Sequence, residues 1–532
     1  MSRKIVVKVE IPSKGVVKKR VKNAVYAYYA IKSYRNEKGN PTCDRVCIGK
    51  ISEEDNKLIP NRNYYEVFQK QPVSFMDTLV KGGMYGVFKE IAKRTGLETI
   101  LEETYPKSYL EILSVSHYLM YGSSSLYLME DWNDDHITFS KKVLSSPELS
   151  RMLEEIDTDS TTVFFREWTR RARKEKELIA YDVTSISTYS RGIEDAEWGY
   201  NRDEETLPQI NYGMFYGQES LLPLYYRTYP GSITDKVHMH YMTEDTDMLE
   251  IKKASFVMDR GFYTEENLKY LVTEKGIRFM IPVPGSLKFY DEMLSAHKDE
   301  ITNNYNCYLN DGTYFGEKYE VNRYGFRMNV HIFYNPEKVA LEIQSFKEKL
   351  EGMKSDLSKM EIMPSKSSNY CKFFDITQKD GYLVFTENLP AINKELSHCG
   401  FFMIAETIFT LSTVDVLNTY RRRDTIEKSF DDLKNELDIK RLRCHRTKTV
   451  YGKMFIAFLT LIVKSVMMKN LKNYMQQKHY SLPKIIAELD KIRIIYSPVS
   501  PNGYRLFNPL TKTQKEILEN LNVPENFVDY LV

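Results

Sequence analysis

The stretch Tyr420-Arg421-Arg422-Arg423-Asp424-Thr425-Ile426-Glu427-Lys428-Ser429-Phe430-Asp431-Asp432-Leu433-Lys434 holds a phenol, cations and carboxylates at helical spacing, with no Gly or Pro. At about 100° per residue, Tyr420, Arg423, Glu427 and Lys434 share a sector roughly 60° wide. Ile426, Phe430, Leu433 and Leu437 fill the neighbouring sector as a core stripe. Such an edge suits a metal-bound phosphate. The plainer alternative is a solvated face with Arg423–Glu427 and Asp431–Lys434 pairs. What separates the two is whether carboxylates from elsewhere in the chain converge on Glu427.

Two acids are placed to do so. Leu178-Ile179-Ala180-Tyr181 runs into Asp182, and Ala254-Ser255-Phe256-Val257-Met258 runs into Asp259. Aspartates at the ends of neighbouring strands meet at one sheet edge, where they repel unless cations lie between them. Carboxylate oxygens are hard ligands that suit Mg²⁺ or Mn²⁺. Two such ions roughly 3.5–4 Å apart activate a water and stabilise the leaving oxygen of a phosphodiester. Asp182, Asp259 and Glu427 are therefore the expected catalytic and metal-binding residues. Asp431, and after it Asp424, are the alternative acids on the helix.

The elements that must position them follow from the apolar pattern. Strands are expected at 178–183, 212–216 and 221–226, a helix within 235–250, and a strand ending at Met258. A helix capped by Thr264 and ended by Gly276 precedes a strand from Arg278 to Val283. The last helix, 415–437, comes after roughly 130 further residues, as much chain as an ordinary domain. This order is that of a ribonuclease H-like fold: α/β and multidomain, with a mixed sheet and a largely β insertion before the last catalytic helix. Within the insertion, Asn310-Asp311-Gly312 marks a hairpin, and Asn335-Pro336 starts a helix. That helix carries an a/d seam of Val339, Ile343, Phe346, Leu350, Met353, Leu357 and Met360, expected to pack on its own domain.

On these residues the chain resembles the DDE transposases of the YREK-signature group, found in bacterial insertion sequences. The signature (Tyr, two residues, Arg, three residues, Glu, six residues, Lys) stands here as Tyr420, Arg423, Glu427 and Lys434. The group's Asp-x-Gly-x-aromatic is matched by Asp259, Gly261 and Tyr263, and its first acid by Asp182-Val183-Thr184. Gly199-Tyr200 to Pro208-Gln209 and Gly452 to Leu461 resemble further segments, with Lys453 where the group often has His. The resemblance covers roughly 178–465. It implies Asp182, Asp259 and Glu427 as ligands of two Mg²⁺ or Mn²⁺ ions. It implies Tyr420, Arg423 and Lys434 as DNA-binding contacts to the phosphates of the transposon end. It also implies cut-and-paste excision. Water cleaves a strand, and the freed 3′-hydroxyl attacks target DNA. The partners are then terminal inverted repeats and target DNA, held by at least a dimer in the DNA complex.

The rest of the chain sets the surroundings. At 532 residues several domains are expected. These are a small β-rich basic region at 1–72 and a helical, DNA-end-binding region at 73–176. The first part of the core follows at 177–285, the insertion at 286–410, the second part of the core at 411–475, and a helical C-terminal region at 476–532. In the first region, strands are expected at 5–7, 25–31 and 45–48 with a turn at 36–41. Residues 88–95 form a helix that Gly96 caps and 97–103 resume, a helix-turn-helix pattern. The formal charge is only +2, so there is no global basic field. Basic clusters at 3–22, 166–174 and 421–448 are local phosphate-binding patches, or are balanced by acids such as Glu175 and Glu177. Six scattered cysteines, with Cys43 and Cys47 the one close pair, fit a reducing compartment. All six cysteines, and His238 and His240, which alternate as on a strand, are expected to be structural. Met454 to Val463 is too short to span a bilayer and reads as a buried helix. With no signal peptide expected, the chain is placed in the cytoplasm without a membrane partner. Two other functions share these features: a nuclease of the same fold without strand transfer, and a transposase-derived DNA-binding protein.

Overall fold

The computed structural model describes residues 8–527, apart from 22–23, 36–39, 53–54, 69–77, 123–124, 141, 143, 202–204, 234, 310–313, 367, 380–381, 438–439, 443 and 497–503. The expected strand at 5–7, most of the turn at 36–41 and the hairpin turn at 310–312 lie outside the described residues. The chain divides into two compact units. One holds the residues up to Leu79 with Ile494–Phe507, and the other holds Val80–Arg493 with Asn508–Phe527.

In the first unit, β1 (Val16–Val21), β2 (Ala24–Arg35), β3 (Pro41–Ile51) and β4 (Leu58–Pro60) form an antiparallel meander. Its core is Ala27, Ile48, Ile51, Leu58 and Tyr64. Cys43 and Cys47 both lie on β3, and the six cysteines form no disulfide.

After β5 (Thr78–Lys81), the second unit opens with helices Gly83–Thr95, Leu97–Thr104, Tyr109–Leu119, Ser146–Glu154 and Thr158–Ala172. Gly96 sits at φ +80 between the first two, the left-handed geometry that glycine adopts at a helix end. The main sheet then begins with β6 (Ile179–Thr188), β7 (Gln209–Gly217) and β8 (Pro223–Pro230), antiparallel to one another. β9 (Ser255–Met258) runs parallel to β6, and β10 (Arg278–Pro282) parallel to β9. Three antiparallel strands followed by two parallel ones is the arrangement that the ribonuclease H-like order requires.

The inserted strands continue this same sheet. β11 (Phe315–Arg323), β12 (Phe326–Tyr334) and β15 (Phe401–Glu406) are all antiparallel and reach the core through β10. Between β12 and β15 lie helix Pro336–Leu357 and the hairpin of β13 (Phe374–Lys379) and β14 (Tyr382–Glu387). Leu350, Met353 and Leu357 of that helix pack with Phe373, Phe374 and Ile392, so its seam is satisfied locally. The full order is β11-β12-β15-β10-β9-β6-β7-β8, and the two-residue β16 (Arg441–Leu442) pairs in parallel with the end of β6.

Three local expectations change. β6 runs on to Thr188, so Asp182 lies within the strand and not at its end; its pairing with β7 continues to Ser187 opposite Gln209. His238 and His240 lie in helix Asp235–Met248, where buried Met239 and Met242 set a helical face. The helix expected to run unbroken from Tyr420 to Lys434 has three parts: α-helices Thr413–Arg421 and Asp424–Asp431, then a π-helical turn Asp432–Glu436. The apolar run 454–463 is the centre of helix Thr447–Lys478. That helix is long and apolar enough to cross a membrane, but 94% of its most apolar window is buried inside the protein. It is the core helix of the second unit.

Candidate active site

Strand register brings the two aspartates together. Ile179 stands opposite Phe256, Ala180 opposite Val257 and Tyr181 opposite Met258. The next position along is Asp182 beside Asp259. Neighbouring strands lie about 4.8 Å apart, and residues in register project to the same face. β9 stops there and a 3₁₀ turn, Arg260–Phe262, follows. Phe262 and Tyr263 are buried and anchor that turn. Asp259 makes no side-chain cap to it and stays 41% exposed, against 15% for Asp182.

Helix Asp424–Asp431 lies on β6. Ile426, Phe430, Leu433 and Leu437 are all buried, as the core stripe requires. The Phe430 ring is 6.3 Å from that of Tyr212 on β7, which fixes the rotation of the helix. Glu427 is thereby turned to the open side, 51% exposed. The preceding helix, Thr413–Arg421, is held at its start. Buried Glu406, at the end of β15, accepts hydrogen bonds from Asn329 and from the backbone N–H groups of Ile408 and Phe409. His331 lies 3.5 Å from Glu406 and 3.2 Å from the Thr413 hydroxyl. Burial alone would raise the Glu406 pKa, but His331, Phe409, Asn329 and Ile408 together hold it below the ordinary carboxylate value.

Arg423 joins the three acids. Its Nη1 lies 3.5 Å from Asp182 Oδ2, and its Nη2 lies 3.8 Å from Asp259 Oδ1 and 2.5 Å from Glu427 Oε1. Tight i→i+3 bonds at the break between the two α-helices set its position: Arg423 N–H donates to Tyr420 O and Ile426 N–H to Arg423 O. The Arg423–Glu427 pair of the plain alternative exists, but a solvated face does not explain why the same guanidinium collects both aspartates. Burial would lower the Arg423 pKa, yet Tyr420, Asp182, Asp259 and Glu427 raise it above its ordinary value, so it stays charged. The Tyr420 ring lies 5.6 Å beneath the guanidinium. Burial raises the Tyr420 pKa; Arg423 opposes this and Asp259 and Glu427 add to it.

Lys434 stands farther along, in the π-helical turn, 8% exposed and so drawn into the protein instead of lining an open edge. Asp432, which opens that turn, pairs at 3.0 Å with Lys464 of the core helix. The exposed Asp431 carboxylate accepts a hydrogen bond from Asn435, and among the described residues neither it nor Asp424 pairs with Arg423. The linking role of Arg423 was not expected from the sequence, which marked it for phosphate contact. Its signal was the i,i+4 spacing to Glu427.

A model of the DDE transposase domain matches residues 173–463, more than half of the chain. The chain belongs to the DDE transposase family. The matched span contains Asp182, Asp259, Arg423 and Glu427. A solved structure of a piggyBac transposase synaptic complex with hairpin DNA is similar at 8% identity and a TM-score of 0.33, over 80% of this chain and 74% of that one. No curated protein matches.

DDE transposases generally depend on divalent metal. In this transposase the donor set fits one: three carboxylates reach a common cation, with no thiolate or imidazole among them. That cation is Arg423. With the guanidinium between them, no group of three or more His, Cys, Asp or Glu among the described residues is gathered tightly enough to hold a metal.

Proposed function

We propose that this transposase serves a bacterial insertion sequence of the YREK group, cutting at the element's ends and joining them to target DNA by cut and paste. The observation that carries the reading is the meeting of Asp182, Asp259 and Glu427 at one guanidinium. Asp182, Asp259 and Glu427 would hold Mg²⁺ or Mn²⁺, as two ions. When bound, the ions supply charge neutralisation for the attacked phosphodiester and a more acidic water. Asp182 sits within strand β6 and Asp259 directly after the neighbouring parallel strand β9, which keeps their spacing fixed. Glu427 rides on a helix clamped through Phe430. Arg423, freed from the acids, reaches a phosphate oxygen of the bound end, with Tyr420 behind its guanidinium. Lys434 is the third DNA contact in this reading.

Water breaks one phosphodiester and leaves a 3′-hydroxyl. That hydroxyl attacks a target phosphodiester and releases another 3′-hydroxyl, so no protein side chain becomes covalently attached. Two ends must be present together, so the working complex has at least two protomers on the terminal inverted repeats. It acts in the cytoplasm, on the nucleoid. The test is incubation of the purified protein with a duplex carrying the element's terminal repeat, target plasmid and Mg²⁺ or Mn²⁺. Cleaved and joined products are expected. Cleavage without joining would assign a nuclease instead, and binding without cleavage a DNA-binding protein.

A further inference from the structure

The four-stranded sheet of the first unit has one face in its core and one in solvent. Val25, Ala27, Tyr29, Val46, Ile48 and Ile51 pack together on the inner face. Strand alternation puts their chain neighbours on the outer one. Pairing register arranges those neighbours in rows across β1, β2 and β3. Lys19 stands opposite Tyr26, and Tyr26 opposite Lys50. Val17 stands opposite Tyr28, and Tyr28 opposite Cys47; Arg45 follows opposite Ala30. The register shift between Ala27 and Tyr28 takes up Ile48 on the core side, so the rows stay in phase. Lys19, Arg45 and Lys50 are exposed, and Tyr26 and Tyr28 are half-buried.

β1, β2 and β3 contain seven Lys and Arg and one acid, so the sheet calls for an anionic partner. That acid, Asp44, is next to Arg45 in the strand and so faces the other way, where it accepts a hydrogen bond from the Tyr34 hydroxyl at 3.1 Å. Asp55 pairs with Lys8 and Glu10 with Lys57, while among the described residues Lys19, Arg45 and Lys50 form no ion pair. The tyrosines narrow the choice of polyanion. Two rings on one face of a strand, two residues apart, lie about 7 Å from each other. A ring on a sheet surface stacks only on a base whose face is open. A duplex keeps its base faces covered, whereas an unpaired strand shows them.

We propose that the outer face of β1, β2 and β3 is a binding surface for single-stranded DNA, with Tyr26 and Tyr28 stacking on bases and Lys19, Lys50 and Arg45 holding the phosphates alongside. This goes beyond the proposed reaction, whose residues all lie outside these strands.

The test measures binding of a short fluorescent single strand of mixed sequence, and of the same sequence as duplex, to the full chain without divalent metal and across a salt series. Thr keeps the strand preference of Tyr and removes the ring; Phe keeps the ring. Tyr26→Thr and Tyr28→Thr are each expected to weaken single-strand binding about 5-fold or more, the scale of one base stacked on an aromatic ring, with duplex binding unchanged. Tyr26→Phe and Tyr28→Phe are expected to bind as the wild type does. Lys19→Gln and Lys50→Gln are each expected to reduce the single-strand salt slope by about 0.7. All four residues lie off the core, so every variant is expected to keep the wild-type melting temperature. Unchanged single-strand affinity in both Thr variants, or an unchanged slope in both Gln variants, would overturn the proposal. So would equal losses for single strand and duplex, which would make the face a backbone patch without stacking. These results leave the carboxylate site and its cleavage assay standing, whereas absent cleavage with this binding intact would count against the transposition reading alone.

Discussion

The guanidinium of Arg423 stands 3.5 Å from the carboxylate of Asp182, although the two residues come from a central strand and from a break between two helices. It reaches Asp259 and Glu427 as well, so one cation balances three acids that the fold has brought to one rim. Without a cation there, three carboxylates would repel one another and loosen the contact between helix and sheet. In the proposed function Arg423 is a placeholder, to be released when metal fills the site.

That role predicts the behaviour of Arg423→Ala. The variant is expected to lose about 1–3 kcal/mol of stability at neutral pH, because a mostly buried cation is removed from its partners. Added Mn²⁺ is expected to restore the loss, raising the urea midpoint of the variant more than that of the wild type. Equal effects of Mn²⁺ on both proteins would show that metal and guanidinium do not share the site.

Much of this arrangement was legible in the sequence. The apolar runs before Asp182 and Asp259 gave adjacent parallel strands, and the stripe of Ile426, Phe430 and Leu433 gave the buried face of the helix. Other features depend on tertiary forces that no short window contains. Strand β6 passes beyond Asp182 because β7 offers pairing partners as far as Gln209. The π-helical turn that draws Lys434 inward begins at Asp432, whose partner Lys464 lies on a different helix. The inserted strands join the core sheet because β10 presents an edge to β15, a relation between segments more than a hundred residues apart.

Gly452 supplies a second prediction. Gly452→Ala would press a methyl carbon against the Leu153 carbonyl, and neither backbone can move without disturbing the core. A loss of about 1–3 kcal/mol is expected, as for other overpacked core positions, measured as a lower urea midpoint with an unchanged slope. Wild-type stability in this variant would contradict the close contact.

The buried Glu406 gives a pH dependence. Its folded pKa lies below the ordinary carboxylate value, so the unfolded chain binds the proton more readily. The stabilisation is therefore fully present above the unfolded value of 4.5 and is lost as pH falls through the lower folded value. Glu406→Gln is expected to flatten this acid limb of the stability profile, by at most about 1.4 kcal/mol per pH unit. It is also expected to lower stability at neutral pH, where the charged form receives the two backbone N–H bonds. An acid limb identical to that of the wild type would show that Glu406 is not held in its charged form.

Metal dependence follows from the all-carboxylate donor set. Strand cleavage is expected to require Mg²⁺ or Mn²⁺ and to stop in excess chelator, with end binding retained. Full cleavage by metal-free protein in chelator would remove the role assigned to Asp182, Asp259 and Glu427.

The most direct measurement is strand cleavage by Glu427→Gln. This change keeps the shape of the side chain and removes its charge, and the residue is half exposed, so the fold should be undisturbed. The account predicts wild-type melting, nearly intact binding to terminal-repeat DNA, and cleavage reduced at least about 1,000-fold, the scale on which loss of a group acting on charge in the transition state is felt. Cleavage at a rate close to wild type would contradict it, and would return Glu427 and Arg423 to an ordinary ion pair on a helix surface.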